Sequence, residues 1–242
     1  MSYGHNKWTK YKLLRRSSRL ASALPRTSRL TRRSLNSYLE RFGKVIIKPS
    51  NSAGGSRVIQ ISPVGNGRYE VHDGKRTSTV KGRRAVYAYA QRKTKGGKPI
   101  VQRRIALARV NGKPFDVRVM VQKKRKSRWT VTGTLAKIAG PGYIITNTAR
   151  SNGKVVPVST AIRRSGLRPG SRIKGKLKST AMKAVRQLHK YYPIDTVGMD
   201  MGVDTKGKVW IIEANFKPAK SLFRKLKDKS AYRRIMSYYR QR

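Results

Sequence analysis

Any fold of this chain must first accommodate a formal charge of +50, because 59 lysines and arginines face only nine acidic residues. Charge this one-sided repels itself in a compact state and draws polyanions in a salt-dependent way. Residues 1–40 hold 10 of the basic side chains and residues 222–242 hold 8, which leaves 41 between them. The charge therefore coats a folded body instead of residing in tails. With 37% hydrophobic residues in 242, there is material for one sizeable core, or for two lobes. Nucleic acid is the usual partner of such a surface. An acidic polypeptide, an anionic cell-wall polymer or a membrane face would answer the same chemistry, and a solubility adaptation is the plainer alternative.

The chain has no cysteine, which excludes disulfides and thiolate metal sites. Residues 1–10 lack the apolar segment of a signal peptide, and no run approaches the roughly 20 apolar residues of a membrane span. A soluble chain acting in the cytoplasm is the expectation. Residues 1–40 read as basic helical material broken at Pro25. Leu35, Tyr38 and Leu39 give a short helix over 34–42, ended by Gly43. Strands are expected at 45–48, 58–62 and 68–72, separated by the turn signals Gly65-Asn66-Gly67 and Asp73-Gly74, which makes a meander. A helix over 85–91 and a strand over 99–105 follow. The stretch Phe115–Gln122 alternates strongly and pairs with 129–138 across a basic turn at 123–128. A helix over 180–191, strands at 197–203 and 209–215, and helical spacing over 221–239 complete the chain. Strands and helices are mixed without regular βα alternation, which favours an α+β protein.

The most informative stretch is MDMGVDTKGKVWIIEANFKP, residues 199–218. A four-residue loop at 204–207 pairs Val203 with Lys208 and sets Asp200 opposite Ile211. In that register Asp200 shares a face with Val209, Ile211, Glu213 and Asn215, while Met199, Met201, Val203, Trp210 and Ile212 form the core face. Two carboxylates and an amide oxygen on one strand pair suit Mg²⁺, which takes one or two carboxylates and completes its shell with phosphates and water. Salt bridges to the surrounding lysines and arginines are the bland alternative. Asp204 reads as a turn residue.

The pattern GMD-x₃-D-x₂-G-x-VWIIEAN-x-KP resembles the C-terminal signature of ATP-grasp enzymes, and the resemblance makes Asp200, Glu213 and Asn215 the ligands of magnesium. It extends upstream. VIIKP at 45–49 and SNSAGGSRV at 50–58 look like the phosphate-contacting strand and its glycine-rich loop, which implies nucleotide contacts from Lys48, Gly54, Gly55 and Ser56. IVQRRI at 100–105 resembles the inter-lobe segment that reads adenine, with Gln102 and Ile105. FDVRV at 115–119 resembles the strand that places Asp116 and Arg118 near the phosphates. TNTAR at 146–150 looks like the stretch bordering the acceptor, with Asn147 and Arg150. With NKW at 6–8 and LPRT at 24–27, the chain resembles the YheC/YheD-type ATP-grasp proteins of spore-forming bacteria.

The resemblance implies an ATP-grasp fold, two α+β lobes with ATP and Mg²⁺ between them. A basic N-terminal extension (1–40), an N-lobe (41–105), a C-lobe (106–221) and a basic helical tail (222–242) are the expected parts. The implied activity is a carboxylate–amine or carboxylate–thiol ligase working through an acyl phosphate on an acidic or polyanionic substrate, in the cytoplasm or on the spore. A nucleic-acid-binding or spore-layer structural protein on a retired ATP-grasp scaffold is the competing class. Specific Mg·ATP binding discriminates the two, whereas DNA retention does not, because any such polycation binds DNA.

Overall fold

The computed structural model describes residues 6–51, 57–144, 146 and 151–239. Two helices open the chain, α1 (Lys7–Arg15) and α2 (Ser18–Ala21). They are followed by β1 (Thr27–Arg29), α3 (Arg32–Phe42), β2 (Val45–Lys48), β3 (Ile59–Gly65), β4 (Arg68–Asp73), β5 (Arg76–Lys81), α4 (Arg83–Lys93) and β6 (Ile100–Arg103). Their strands form one antiparallel sheet in the order β1-β6-β2-β3-β4-β5. Helix α3 starts at a capping box, in which Thr31 and Ser34 each bond the other's backbone N–H, and stops at Gly43, whose φ of +67° suits a residue without a side chain. Leu35 and Leu39 of α3 and Val86 and Ala90 of α4 pack on Val45, Ile47, Ile59, Ile61, Val71 and Val101. One face of this sheet is thereby closed. The other presents Ile100, Gln102 and Lys48.

The second half holds β7 (Arg109–Val110), β8 (Lys113–Gln122), β9 (Thr130–Ile138), β10 (Lys154–Val156), α5 (Val158–Arg164), α6 (Gly170–His189), β11 (Thr196–Val203) and β12 (Val209–Asn215). A 3₁₀ turn (Ser221–Lys225) and α7 (Ser230–Tyr239) end it. The second sheet runs β10-β9-β8-β11-β12, antiparallel throughout, with β7 paired to β8. Strand β8 is buried on both faces. Phe115, Val117, Val119 and Val121 join Met199, Met201 and Val203 under Ile173, Leu177, Ala181, Val185 and Leu188 of α6. On the opposite face Met120 packs with Leu135 beneath Phe223, Leu226 and Ile235. Each such fully buried aliphatic side chain contributes about 1.5–3 kcal/mol, which α6 collects through apolar positions three and four residues apart.

Helix α6 starts ten residues before the span expected from the sequence, β1 comes from a segment read as helical, and β5, β10 and α5 form where no element was expected. The segment read as an N-terminal extension divides between the two halves. Tyr11, Leu14, Leu20 and Leu24 join the core under α6, whereas β1 pairs with β6 at the edge of the first sheet. The C-terminal segment is likewise anchored, through Leu226 and Ile235. Between the sheets, the Arg104 N–H donates to Lys44 O and the Ala108 N–H to Val203 O. Residues 104–108 are therefore tied at one end to each half. The Arg103 guanidinium lies 5.4 Å from the Phe42 ring and 5.6 Å from the Trp210 ring, bridging them across the same junction.

The β11–β12 register differs from the sequence expectation. Val203 pairs with Val209, and Asp200 pairs with Glu213, not Ile211. Two causes are visible. Asp204 accepts from the N–H groups of Lys206 (3.0 Å) and Lys208 (2.9 Å) and from Trp210 Nε1 (2.8 Å), so the loop takes in Lys208. A β-bulge then leaves Ile212 unpaired between Ile211, opposite Met201, and Glu213, opposite Asp200. The bulge inverts the parity of the strand. Val209 and Ile211 belong to the core with Met201 and Val203, not to the face of Asp200, while Ile212 lies over Gly202 on that face.

Candidate active site in the cleft between the sheets

The bulge matters because it brings Glu213 and Asn215 to the face of Asp200. Pairing sets Asn215 opposite Gly198 and Glu213 opposite Asp200 on one side, with Arg118 of β8 opposite Asp200 on the other. Asp116 lies opposite Gly202, and Lys137 of β9 lies opposite Asp116. Four adjacent strands thus carry an alternating array of charge. Arg118 grips Asp200 with two parallel bonds, Nε to Oδ1 at 2.8 Å and Nη2 to Oδ2 at 3.0 Å. Lys137 Nζ donates to Asp200 Oδ1 at 2.8 Å and lies 3.2 Å from Asp116 Oδ1. Asn215 Nδ2 donates to Asp200 Oδ2 at 3.0 Å. Thr146 donates its hydroxyl to Asp116 Oδ2. Gly198 makes room for this packing, since a Cβ there would stand 2.6 Å from Pro218 and 3.1 Å from Arg118 Nη1.

Burial alone would raise the Asp200 pKa, but Arg118 and Lys137 hold its carboxyl well below the usual range. At Asp116 burial prevails, and despite Lys137 its carboxyl is pushed up to about 6, with the Asp200 charge adding to the rise. Burial disfavours the charged forms of Arg118 and Lys137 too, yet the two carboxylates more than offset it and both pKa values rise.

The first sheet and α1 supply the opposite wall. Lys48 Nζ donates to Gln102 Oε1 (3.0 Å), and Gln102 Nε2 donates to Thr27 Oγ1 (2.8 Å). Helix α1 is pinned there by its Lys7 N–H on Ser50 O, and the Lys7 ammonium reaches Glu213 at 3.4 Å. Lys10 Nζ donates to Ala214 O at 2.5 Å and lies 4.9 Å from the Phe216 ring centroid. Burial lowers both Lys10 and Lys48 to about 8. Glu213 opposes that shift, and the neighbouring Lys7 adds to it. Lys7, Lys10, Lys48, Gln102, Ile212 and Glu213 line a common cavity of about 30 Å³.

Lys48, Gln102, Asp116, Arg118, Asp200, Glu213 and Asn215 are thus assembled around the cleft. Ile105 is half-buried and offers its carbonyl to Arg104. Gly54, Gly55, Ser56, Asn147 and Arg150 lie outside the described residues. Three cations at the site escaped the sequence reading, namely Lys7, Lys10 and Lys137. Lys137 had a signal, being the one charged residue in the apolar run TLAKIAG at residues 134–140.

Among the described residues no group of three or more histidine, aspartate or glutamate side chains could hold a metal by itself. Two paired carboxylates and one amide fit a magnesium ion that arrives with phosphate, not a bare ion. One further observation favours such a ligand. Arg118 Nη1 is buried with no hydrogen-bond partner among the described residues, a donor that a phosphate oxygen would satisfy.

Known proteins bear on this geometry. The YheC/D-like ATP-grasp family matches residues 2–241. The endospore coat-associated protein YheD of Bacillus subtilis (strain 168) is 33% identical over 228 residues, 90% of this chain and 49% of that protein. The chain therefore spans about half the length of that relative. Among solved structures, D-cycloserine synthetase DcsG superposes with a TM-score of 0.58 at 10% identity, over 98% of this chain and 70% of that one. The ATP-grasp ligase PsnB, complexed with a minimal precursor, gives 0.56 at 14% identity, over 98% and 62%. N5-carboxyaminoimidazole synthase from Aspergillus clavatus, in complex with ADP and 5-aminoimidazole ribonucleotide, gives 0.52 at 15% identity, over 87% and 43%. The two-sheet architecture is that of an ATP-grasp fold, and the chain belongs to the YheC/D-like ATP-grasp family.

Proposed function

We propose that the protein is an ATP-dependent ligase that joins a carboxylate to an amine or thiol through an acyl phosphate. The observation that carries this reading is the cleft itself. Five basic side chains (Lys7, Lys10, Lys48, Arg118 and Lys137) and three carboxylates (Asp116, Asp200 and Glu213) meet between two sheets, in a chain with only nine acids. Such a site has a surplus of positive charge, as a triphosphate requires. Its cavity of about 30 Å³ admits a water or two, so taking up a nucleotide separates the walls joined by Lys7, Lys10 and Lys48.

In the first step a substrate carboxylate oxygen attacks the γ-phosphorus of ATP and ADP departs. In the second, the nucleophile attacks the acyl carbon, phosphate leaves with its oxygen, and the nucleophile's proton passes to solvent. Lys48 and the free Nη1 of Arg118 bind and orient phosphate oxygens, and stabilise the charge that develops on them. Asp200, Glu213 and the Asn215 amide would hold magnesium, which neutralises phosphate charge when bound. Lys137 keeps Asp200 ionised and oriented. A structure of PsnB holds the precursor peptide PsnA2 and AMPPNP, which supports a polypeptide acceptor. The basic surface makes an acidic one the better fit. Association with the spore coat is proposed from the likeness to YheD.

The test is ADP release from Mg·ATP with a panel of acidic peptides and polymers. An acidic acceptor should raise the rate at least about tenfold, with loss of that rate in Lys48→Met, as expected for charge stabilisation worth about 1.4 kcal/mol or more. No acceptor-dependent release across the panel would contradict a ligase.

A further inference from the structure

The nucleotide cleft accounts for only a few of the 59 basic residues, and one ordered array of them lies away from it. No acidic residue occurs between positions 117 and 194 or before position 40. Helices α1, α2, α5 and α6 all fall in those stretches, and α1 and α2 pack against α6. Gln187 Nε2 donates to Leu13 O at 3.0 Å across that contact. The apolar positions of α6 face the second sheet on the side away from Asp200 and Arg118. Its outer line consists of Arg172, Lys176, Lys183, Arg186 and Lys190, all exposed. At 100° per residue these five fall within about 40° of one line, which runs for roughly 27 Å along the helix and its C-cap.

A second basic row flanks the first. Lys12, Arg15, Arg16 and Arg19 are exposed on α1, α2 and their junction, and packed helices stand about 8–10 Å apart. At the far end the β8–β9 turn continues the charge with exposed Arg125, Lys126 and Arg128. This turn is fixed to α6 by Lys123 Nζ on His189 Nε2 at 2.9 Å and by Trp129 edge-on to the His189 ring. Asp195, the acid nearest in sequence to α6, is half-buried.

From this juxtaposition we propose that the α1–α2–α6 face binds double-stranded nucleic acid through its backbone phosphates, without reading sequence. Three features select this partner. A straight row of about 27 Å matches the rise of roughly eight base pairs, and a second row about 10 Å away reaches phosphates across a groove some 12 Å wide. Three of the five outer side chains are lysines, which act as point charges toward phosphate, whereas carboxylates are gripped best by arginine forks. A single strand calls for aromatic platforms on which bases stack, and among the described residues Tyr191 is the one aromatic side chain of this face that is exposed. The proposal is separable from the ligase reading, because α6 lies on the far side of the second sheet and the flanking α1 and α2 side chains are not Lys7 and Lys10, which reach Glu213 and Ala214 in the cleft.

A bulk charge of +50 will hold DNA by itself, so the test compares two full-length variants of equal charge. One carries Lys176→Gln, Lys183→Gln, Arg186→Gln and Lys190→Gln. The other carries Arg68→Gln, Arg76→Gln, Lys81→Gln and Arg84→Gln, all exposed on the first half of the chain. Fluorescence anisotropy with a labelled mixed-sequence duplex of about 24 base pairs, at several salt concentrations, gives affinity and salt slope; circular dichroism checks that both variants fold. The α6 variant should bind at least about tenfold more weakly at 100 mM salt, with a slope shallower by about 3, while the control loses less than about threefold. Equal losses in the two variants would overturn the proposal. So would tighter binding of polyglutamate than of duplex at matched charge, or of a single strand than of the duplex.

Discussion

Asp200 accepts hydrogen bonds from Arg118, Lys137 and Asn215, and Lys137 also neutralises Asp116. Removing one member of a buried ionic set leaves the others uncompensated, which costs more than the set contributes as a whole. Lys137→Met should therefore lower stability by about 3–5 kcal/mol, a fall of roughly 10 °C in Tm for a chain of this length. A change below about 2 °C would mean that the two aspartates do not depend on this lysine. Lys10 and Lys48 lead to a pH dependence. With pKa values near 8 instead of 10.5, the folded state gives up protons that the unfolded chain keeps between pH 8 and 10.5. Their contribution to stability thus rises with pH in that window, by up to about 1.4 kcal/mol per unit for each group. Phosphate binding needs the charged form of Lys48, so nucleotide affinity should move the other way, weakening about tenfold between pH 7 and 9. Calorimetric titration at pH 7, 8 and 9 measures it, and a flat profile would remove Lys48 from the phosphate site.

At the scale of elements, legibility followed periodicity. The alternation of FDVRVMVQ identified β8, a pleated strand covered on both faces, whereas the places of Asp116 and Arg118 were implied only by the resemblance to ATP-grasp enzymes. The pairing of β11 with β12 was also legible, yet its register was not. Asp204 draws Lys208 into the loop and Ile212 bulges, and no spacing rule announces a bulge. Glu213 and Asn215 still reach the face of Asp200, since the longer loop and the bulge together move the register by two residues. Strand β1 was invisible because Thr27, Ser28 and Arg29 have no apolar pattern, and only pairing with β6 makes them a strand. The first half of α6 was obscured by Gly170 and Gly175 and by its run of lysines, although Ile173 and Leu177 already keep the spacing of the buried face. Lys7 and Lys10 were read as part of a basic extension. Their place at the cleft depends on α1 docking beside Ser50 and Ala214, contacts distant in sequence.

Across the whole molecule seven of the nine acids are placed where structure requires them. Asp116, Asp200 and Glu213 meet in the cleft, Asp204 organises a turn, Asp228 accepts from the Ser230 N–H at the start of α7, and Glu40 and Asp73 pair with Arg83 and Lys93. Three of the nine acids share one cleft, and the proposed Mg·ATP site rests on that arrangement. The most direct measurement is the thermal shift produced by Mg·ATP in the wild-type protein and in Glu213→Gln. Glu213 is partly exposed and makes one long ion pair with Lys7, so the variant alone should unfold close to the wild-type temperature. Ligand at about 100 times its Kd adds roughly 2.7 kcal/mol, a rise of about 5–10 °C in wild-type Tm, of which Glu213→Gln should lose more than half. No shift in the wild type, or an equal shift in the variant, would contradict the assignment of this cleft to Mg·ATP.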